Sequence, residues 1–269
     1  MEVFGYIFSI IILVLFSGGL FWGLVIIIVP AKRNLVFTKP LSPEFKKILR
    51  LHFPYYRKLT RFQQKDFEKR LNYFISGKQF IAKKMTQVTD EMKVLIGACA
   101  VQLTFGFEPL KLTHFKKIIL YPSRYYSRFT RKKHSGEVNP NGMIIYSWED
   151  FKKGYKVPND GRNVGLHEMA HALRLEDAIP DDEYAFMDDE CLARWHRVCM
   201  KEMKEVRNGK NNFLRKYAAR DAEEFFAVCI ENFFEKPFEF KEEVPEVYEA
   251  LCNLLRQDLT AARLRKKNS

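Results

Sequence analysis

The first strong pattern along the chain is an apolar run near its amino terminus. Residues 3–29, VFGYIFSIIILVLFSGGLFWGLVIIIV, are 27 positions without a charged side chain, which exceeds the roughly 20 residues that a helix needs to cross a bilayer core. A cleaved signal peptide would have a basic start, a shorter apolar core and a small-residue cleavage site. Here the early charge is Glu2, and the run ends in Pro30-Ala31-Lys32-Arg33. The pattern therefore predicts one transmembrane helix within residues 1–30.

Helical periodicity returns after a basic connector, residues 31–54, that contains a short helix. Residues 57–78 place apolar side chains at helical spacing and predict an amphipathic helix. Residues 92–105, MKVLIGACAVQLTF, follow a helix start at Thr89 and are apolar on nearly every face, which predicts a buried helix. Everything from Arg162 onward has the pattern of helices and connecting loops.

Three shorter segments have the pattern of strands. They are QFIAKKM at 79–85, FKKIILYP at 115–122 and GMIIYSW at 142–148, the last after the turn signal Asn139-Pro140-Asn141-Gly142. A few strands beside many helices predict an α+β domain, which we place at residues 55–269.

Charge and cysteine content narrow the classes of protein. The net charge is +12, and residues 30–70 hold twelve Lys and Arg against three acids. Cations beside a span stay on the cytoplasmic side and are attracted to anionic headgroups. The membrane surface therefore accounts for the excess charge, and a nucleic-acid partner is not expected.

Five cysteines without C-x-x-C spacing indicate reduced, buried thiols. The six acids of residues 181–190 predict a solvated loop that caps the next helix.

One helical segment carries two histidines with a glutamate between them. In HEMAH, His167 and His171 are four residues apart, so a helix directs both imidazoles at a common point. A catalytic zinc keeps three protein ligands and one position for water, and Glu168 could take the proton of that water. The apolar neighbours predict a buried helix, in which zinc would satisfy these polar side chains. The alternative is a buried histidine pair bonded to backbone carbonyls.

The identity of the third metal ligand distinguishes the subclasses of zinc peptidase with an H-E-x-x-H motif. A histidine six residues after His171 would continue the pattern H-E-x-x-H-x-x-G-x-x-H, but Arg174 takes the glycine position and Asp177 the histidine position. The other source is a glutamate on the later helix that begins after Asp221, a good N-cap. The candidates there, which spacing alone does not separate, are Glu223, Glu224 and Glu231. Glu224 also fits the third position of a capping box.

Several segments, in their order along the chain, resemble those of one known family. Besides H-E-x-x-H, they are DEMKVLIGACAVQLTFGF, IILYP, GMIIYSWEDF, NVGLHEMAHAL and YAARDAEEFFAV. Together they resemble the MtfA-type zinc peptidases, the M90 group, which are gluzincin-like and related to the catalytic domain of anthrax lethal factor. The resemblance runs from about residue 55 to about residue 258. It implies a mostly helical zincin-like domain with a small β-sheet and one Zn²⁺ per chain.

The resemblance also implies roles for individual residues. The third zinc ligand of the family is the glutamate of a D-x-x-E-x-F-A motif, which falls on Glu224. Tyr217, seven residues earlier, would donate a hydrogen bond to the oxyanion of a tetrahedral intermediate. GMIIYSW would be the edge strand along which an extended peptide pairs, although its pattern fits an ordinary core strand equally well.

These observations predict a membrane-anchored zinc metallopeptidase at the inner membrane, with its catalytic domain facing the cytoplasm. His167, His171 and Glu224 would bind Zn²⁺, Glu168 would be the general base, and Tyr217 would stabilise the transition state. The resemblance implies peptide or aminopeptidase-type hydrolysis. One alternative is a zinc-stabilised module that docks a regulatory protein, such as a transcription regulator, with little turnover. Another is a basic membrane or nucleic-acid adaptor, whose binding would depend steeply on salt and survive chelation.

Overall fold

The computed structural model describes residues 10–18, 21–29, 40–127, 130–178 and 186–261. The chain divides into two compact units, Met1–Thr38 and Lys39–Ser269. Part of the predicted connector, residues 31–39, and part of the acidic stretch, residues 181–185, lie outside the described residues.

The described residues of the amino-terminal unit form two strands. β1, Ile10–Gly18, and β2, Phe21–Val29, pair antiparallel. The helix predicted over residues 3–29 is therefore not confirmed, and among the described residues no helix is long and apolar enough to cross a membrane. Length and apolarity alone do not separate a helix from two strands. The many Ile, Val and Phe residues of the run favour strands, and Gly18-Gly19 near its middle is a turn signal.

The larger unit is mostly helical. Its described residues form the α-helices α1 Pro43–His52, α2 Pro54–Lys58, α3 Arg61–Ser76, α4 Asp90–Thr104, α5 Trp148–Lys156, α6 Val164–Ala178, α7 Asp189–Arg207, α8 Ala222–Glu235, α9 Pro237–Glu243 and α10 Pro245–Leu255, and the 3-10 helix Lys216–Ala219.

A four-stranded sheet and a small hairpin complete this unit. The sheet has the order β3 Gln79–Ala82, β4 Lys117–Tyr121, β8 Met143–Ser147 and β7 Gly136–Asn139. The first three strands are parallel, and β7 runs antiparallel to β8. The hairpin pairs β5 Tyr125–Ser127 with β6 Lys132–His134. The predicted α+β class and the three predicted strands are confirmed. The expectation of an edge strand at GMIIYSW is wrong, because β8 lies between β4 and β7.

Helices from the amino-terminal part of this unit pack around α4. Thr89 caps α4 by accepting a hydrogen bond from the backbone N–H of Met92, and most of α4 is buried, as its sequence predicts. The helix predicted over residues 57–78 is α3, which buries Phe67, Leu71 and Phe74 against α4. These apolar faces supply the burial that holds the helices together.

The folded domain begins earlier than residue 55. α1 and α4 are in contact, and Leu49 and Phe53 are fully buried in the same core. The basic connector predicted over residues 31–54 is therefore, from about residue 40 onward, an integral part of the domain. The sequence did not predict that these residues belong to the domain, because their many cations suggested a solvated connector. In the structure the cations occupy the outer faces of helices whose inner faces are apolar.

Four elements meet where the sequence places the metal site. α6, which carries the HEMAH residues, packs against α8 on one side and against β7 and β8 on the other. α7 follows the acidic stretch and begins after Asp188, whose side chain accepts a hydrogen bond from the backbone N–H of Cys191. The capping role predicted for that stretch is thus observed at Asp188.

Candidate metal centre

The amino terminus of α6 fixes the start of the HEMAH helix. Asn163 is buried, and its side-chain oxygen accepts a hydrogen bond from the backbone N–H of Leu166 at 3.1 Å. This is the N-cap geometry that satisfies a free N–H in the first helical turn. His167 then follows with its backbone N–H bonded to the carbonyl of Asn163 at 2.8 Å.

One helical turn places the two histidines together. The Nε2 atoms of His167 and His171 lie 3.3 Å apart, and the planes of the rings are nearly perpendicular. Both side chains are largely buried, with 13% and 17% of their surface exposed. The spacing argument from the sequence is thus realised in the helix.

Glu224, from the first turn of α8, faces the two imidazoles. Its Oε2 lies 3.1 Å from Nε2 of His167, and its Oε1 lies 3.8 Å from Nε2 of His171. One ligand atom from each of the three residues can be chosen so that all lie within 4.8 Å of one another. Glu223, which spacing did not separate from Glu224, is half-exposed and lies near Arg174 instead.

The two imidazole nitrogens and the buried oxygen of Glu224 fit a zinc ion. Oε2 of Glu224 is buried and lies 3.1 Å from Nε2 of His167; when His167 is neutral with its proton on Nδ1, this oxygen has no hydrogen-bond donor among the described residues. A buried carboxylate oxygen without a donor is costly, and a cation between it and the imidazole nitrogens would remove that cost. Two imidazole nitrogens and one carboxylate oxygen are a ligand set that catalytic zinc uses.

Carboxylates, rather than backbone carbonyls, surround the two rings. Besides Glu224, Oε2 of Glu231 lies 3.3 Å from Nδ1 of His167. Burial lowers the pKa of His167, but Glu224 and Glu231 outweigh it and raise that pKa to about 10. Burial, followed by the charge of His167, lowers the pKa of His171 to about 4. Zinc binding requires neutral imidazoles, so a zinc ion would compete with the proton of His167.

Glu168 lies beside this cluster on the same helix. The residue is 9% exposed, and burial raises the pKa of its carboxyl to about 7. A cation bound nearby would oppose this shift by favouring the ionised form. Glu168 therefore has the position and the tunable proton affinity of a general base.

Tyr217 lies at the exposed side of the centre, in the 3-10 helix. Its ring centroid is 6.3 Å from that of His167, and the residue is 44% exposed. Burial of its phenol and the charge of Glu224 raise the pKa of Tyr217 to about 12. The hydroxyl is therefore protonated at neutral pH and can donate a hydrogen bond.

Arg220 links the tyrosine to the carboxylate and was not found by sequence reasoning. Its guanidinium donates from Nη1 to the hydroxyl oxygen of Tyr217 at 2.7 Å and from Nη2 to Oε1 of Glu224 at 2.5 Å. Its Nε donates to Asp221 at 2.9 Å, and Asp221 caps α8 by accepting from the backbone N–H of Glu224. One exposed arginine among 45 cations carries no sequence signal for such a role.

Gly136 was also missed, because a short polar strand, GEVN, does not stand out in the sequence. The strand β7 passes so close to α6 that a Cβ at residue 136 would lie 2.4 Å from Cγ of Glu168. Only a glycine allows the backbone to approach the glutamate so closely.

Comparison with known proteins agrees with this centre. Residues 29–256 match the family model described as glucose-regulated metallo-peptidase M90. An uncharacterized protein from Synechocystis sp. is 26% identical over 82% of this chain and 86% of its own length. Mlc titration factor A from Salmonella arizonae is 26% identical over 69% of this chain and 80% of its own length. The same-named protein from Klebsiella pneumoniae is 23% identical over 79% and 86%. The chain therefore belongs to the glucose-regulated metallo-peptidase M90 family.

Proposed function

We propose that the protein is a zinc metallopeptidase that hydrolyses peptide bonds at the centre formed by His167, His171 and Glu224. The observation that carries the proposal is the convergence of two imidazole nitrogens and a buried carboxylate oxygen, Oε2 of Glu224, with ligand atoms of the three residues within 4.8 Å of one another. When bound, Zn²⁺ lowers the pKa of a water toward about 7 and polarises the substrate carbonyl.

The surrounding side chains supply the remaining chemistry. The Glu168 carboxylate accepts the proton of the attacking water and delivers it to the leaving amine. The hydroxyl oxygen of Tyr217 accepts a hydrogen bond from Arg220, and its own proton would be donated to the developing oxyanion. Glu168 thus supplies the proton acceptor, and Tyr217 the hydrogen-bond donor, that hydrolysis of an amide bond needs.

The sheet edge beside Glu168 supports an extended peptide as the substrate. β7 is an edge strand with one side free of pairing to a described strand, and it begins at Gly136 next to Glu168. An extended peptide can add to such an edge through main-chain hydrogen bonds. The family resemblance favours cleavage next to a free amino terminus, which a comparison of free and acetylated peptides tests.

The experiment that tests peptidase activity is a hydrolysis assay with Glu168→Gln. This variant keeps the shape of the side chain but cannot accept the proton, so we expect zinc to remain bound and turnover to fall by roughly 10²–10⁴-fold. Unchanged turnover in Glu168→Gln, or turnover in wild type that survives removal of zinc, would contradict the proposal.

A second candidate function is that of a regulatory module that docks a partner with little turnover. It is supported by the name of the relatives, which describes them as titration factors of Mlc. A transcription regulator is then the class of partner to test. Full biological function of Glu168→Gln in cells would favour this candidate over the peptidase, whereas loss of function would favour the peptidase.

Membrane attachment is a separate part of the proposal. Its support is the uncharged run of residues 3–29 and the basic segment that follows it. On the domain, Phe62 is 83% exposed and Leu51 is 59% exposed, and both lie among the exposed cations Arg50, Arg57, Lys58, Arg61 and Lys65. Exposed apolar side chains among cations suit the surface of an anionic bilayer. The proposed location is the inner membrane, with the domain facing the cytoplasm.

Vesicle flotation tests this attachment. Full-length protein should float with phosphatidylcholine vesicles and remain bound in high salt, because apolar insertion is not screened by ions. Binding that requires polyanions, is lost in salt and is equally strong on RNA would instead support the basic-adaptor alternative.

A further inference from the structure

Glu231 is a buried carboxylate with three donors and no role in the proposed chemistry. It lies two helical turns after Glu224 on α8, and its side chain is 3% exposed. Its oxygens accept from Nη2 of Arg215 at 2.5 Å and from the backbone N–H of Asn163 at 2.8 Å, and they lie 3.3 Å from Nδ1 of His167. A charge this deeply buried needs such compensation to be retained.

The contact with His167 determines which ring nitrogen is free. An ionised Glu231 carboxylate can only accept, so its contact places a proton on Nδ1 of His167, and the lone pair that a zinc ion would use is then on Nε2 once the second ring proton is released. That Nε2 is the atom 3.1 Å from Oε2 of Glu224. The Glu231 contact thus turns the ligand nitrogen of His167 toward the candidate metal position.

Through Arg215, the Glu231 carboxylate is also linked to the 3-10 helix Lys216–Ala219, which carries Tyr217. Arg215 donates to Glu231 from Nη2 and to the carbonyl of Gly161 from Nη1 at 3.0 Å. It lies two residues before Tyr217, whose ring is beside that of His167. One partly buried ion pair therefore joins the segment bearing Tyr217, the turn before α6 and the imidazole.

We propose that Glu231, paired with Arg215, is a positioning residue of the metal centre. It orients the imidazole of His167 for zinc, and through Arg215 it holds the segment that bears Tyr217 beside that imidazole. This inference rests on the proposed zinc function. Carboxylate partners of metal-bound histidines fix ring orientation and increase ligand basicity, and their loss costs about 10–100-fold in metal affinity.

Glu235, one turn later on α8, provides a matched control. Its carboxylate accepts from the backbone N–H groups of Gly161 and Arg162 and from the side chain of Asn163. It therefore holds the same turn before α6, but no hydrogen bond or ion pair links it to His167 or Arg215 among the described residues. A purely structural role for the α8 carboxylates would affect both variants alike.

The test is a zinc titration of the full-length protein against a chromophoric chelator. Glu231→Gln should bind zinc about 10–100-fold more weakly than wild type, whereas Glu235→Gln should remain close to wild type. The visible absorption of bound Co²⁺ should change in Glu231→Gln but not in Glu235→Gln. Wild type that binds no zinc would refute the proposed function itself. Wild type that binds zinc no better than Glu231→Gln would overturn this inference alone.

A double variant separates positioning from loss of folding. Glu231→Gln leaves Arg215 without its charged partner, which is destabilising by itself. Arg215→Gln/Glu231→Gln removes both charges, so its melting temperature should recover toward wild type while its zinc affinity stays low. Recovery of zinc affinity together with the melting temperature would show that the unpaired arginine was the whole effect, and would overturn the positioning role.

Discussion

Gly136 at the start of β7 lies directly against Glu168 on α6, so that a Cβ at residue 136 would come within 2.4 Å of Cγ and 2.7 Å of Oε1 of the glutamate. The sheet edge and the candidate general base are therefore built against each other without an intervening side chain. Adding even one methyl group requires the glutamate or the strand to move, because no heavy atoms pack at such distances.

Gly136→Ala should therefore reduce catalysis without removing the metal. A displacement of the glutamate by about 1 Å can cost on the order of 100-fold in kcat, while His167, His171 and Glu224 keep their places. Peptide hydrolysis and bound zinc are measured together. Gly77→Ala is the matched control, because a Cβ there would meet the flexible end of Lys111 at 3.2 Å. Wild-type turnover in Gly136→Ala would show that the close packing does not position Glu168.

Tyr217→Phe should lower kcat by about 10²–10³-fold, because it removes one donor to the developing oxyanion. The hydroxyl contributes to the transition state only, so KM and zinc affinity should change little. Tyr126→Phe, at another exposed tyrosine, is the control. If zinc affinity falls along with kcat, Tyr217 instead stabilises the ligand Glu224 through Arg220, which would contradict the assigned role.

Glu235 should contribute a stabilisation that is lost as the pH rises from about 4.5 to about 7. Burial raises the pKa of its carboxyl in the folded state from 4.5 to about 7. The folded state thus holds a proton that the unfolded state releases, and this stabilisation is full below pH 4.5 and lost as the pH rises through 7. In thermal melts taken across this range, the stability of wild type should decline relative to that of Glu235→Gln as the pH rises. Parallel pH profiles would contradict this assignment.

Phe67→Ala should destabilise the domain by about 3–5 kcal/mol, as expected for a buried phenylalanine. Phe67 is fully buried and its ring packs against those of Phe53, Tyr55 and Tyr56, which come from the segment around α2. Phe62→Ala, on the same helix but 83% exposed, should stay within about 0.5 kcal/mol of wild type. Denaturant unfolding measures both. Equal effects would show that residues 53–56 are not part of the folded core.

Sequence periodicity predicted the elements whose burial is one-sided or complete over several turns. α3, α4, α6 and α8 are of this kind, and the three parallel strands have apolar runs of their own. β7 was not predicted, because GEVN is short and its pairing with β8 is a tertiary property. The run of residues 3–29 satisfied a length criterion for a helix, but its β-branched residues and its central glycines equally allow paired strands.

Only those residues of the candidate metal centre that are close together in the sequence could be related in space from the sequence alone. His167, Glu168 and His171 lie within one turn of a helix, so the sequence alone relates them in space. Choosing Glu224 over Glu223 required either the family resemblance or the structure, since adjacent residues differ only in the direction of their side chains. Arg220 and Glu231 act through contacts made by the folded chain, and the sequence carries no pattern for these.

The central claim is that Glu224 completes a zinc site with His167 and His171. The most direct test is the zinc content and zinc affinity of purified wild type, Glu224→Ala and Glu223→Ala. We predict one zinc per chain in wild type and in Glu223→Ala, and greatly weakened binding in Glu224→Ala, because loss of one of three protein ligands leaves only the histidine pair. Zinc bound to Glu224→Ala as tightly as to wild type would contradict the claim.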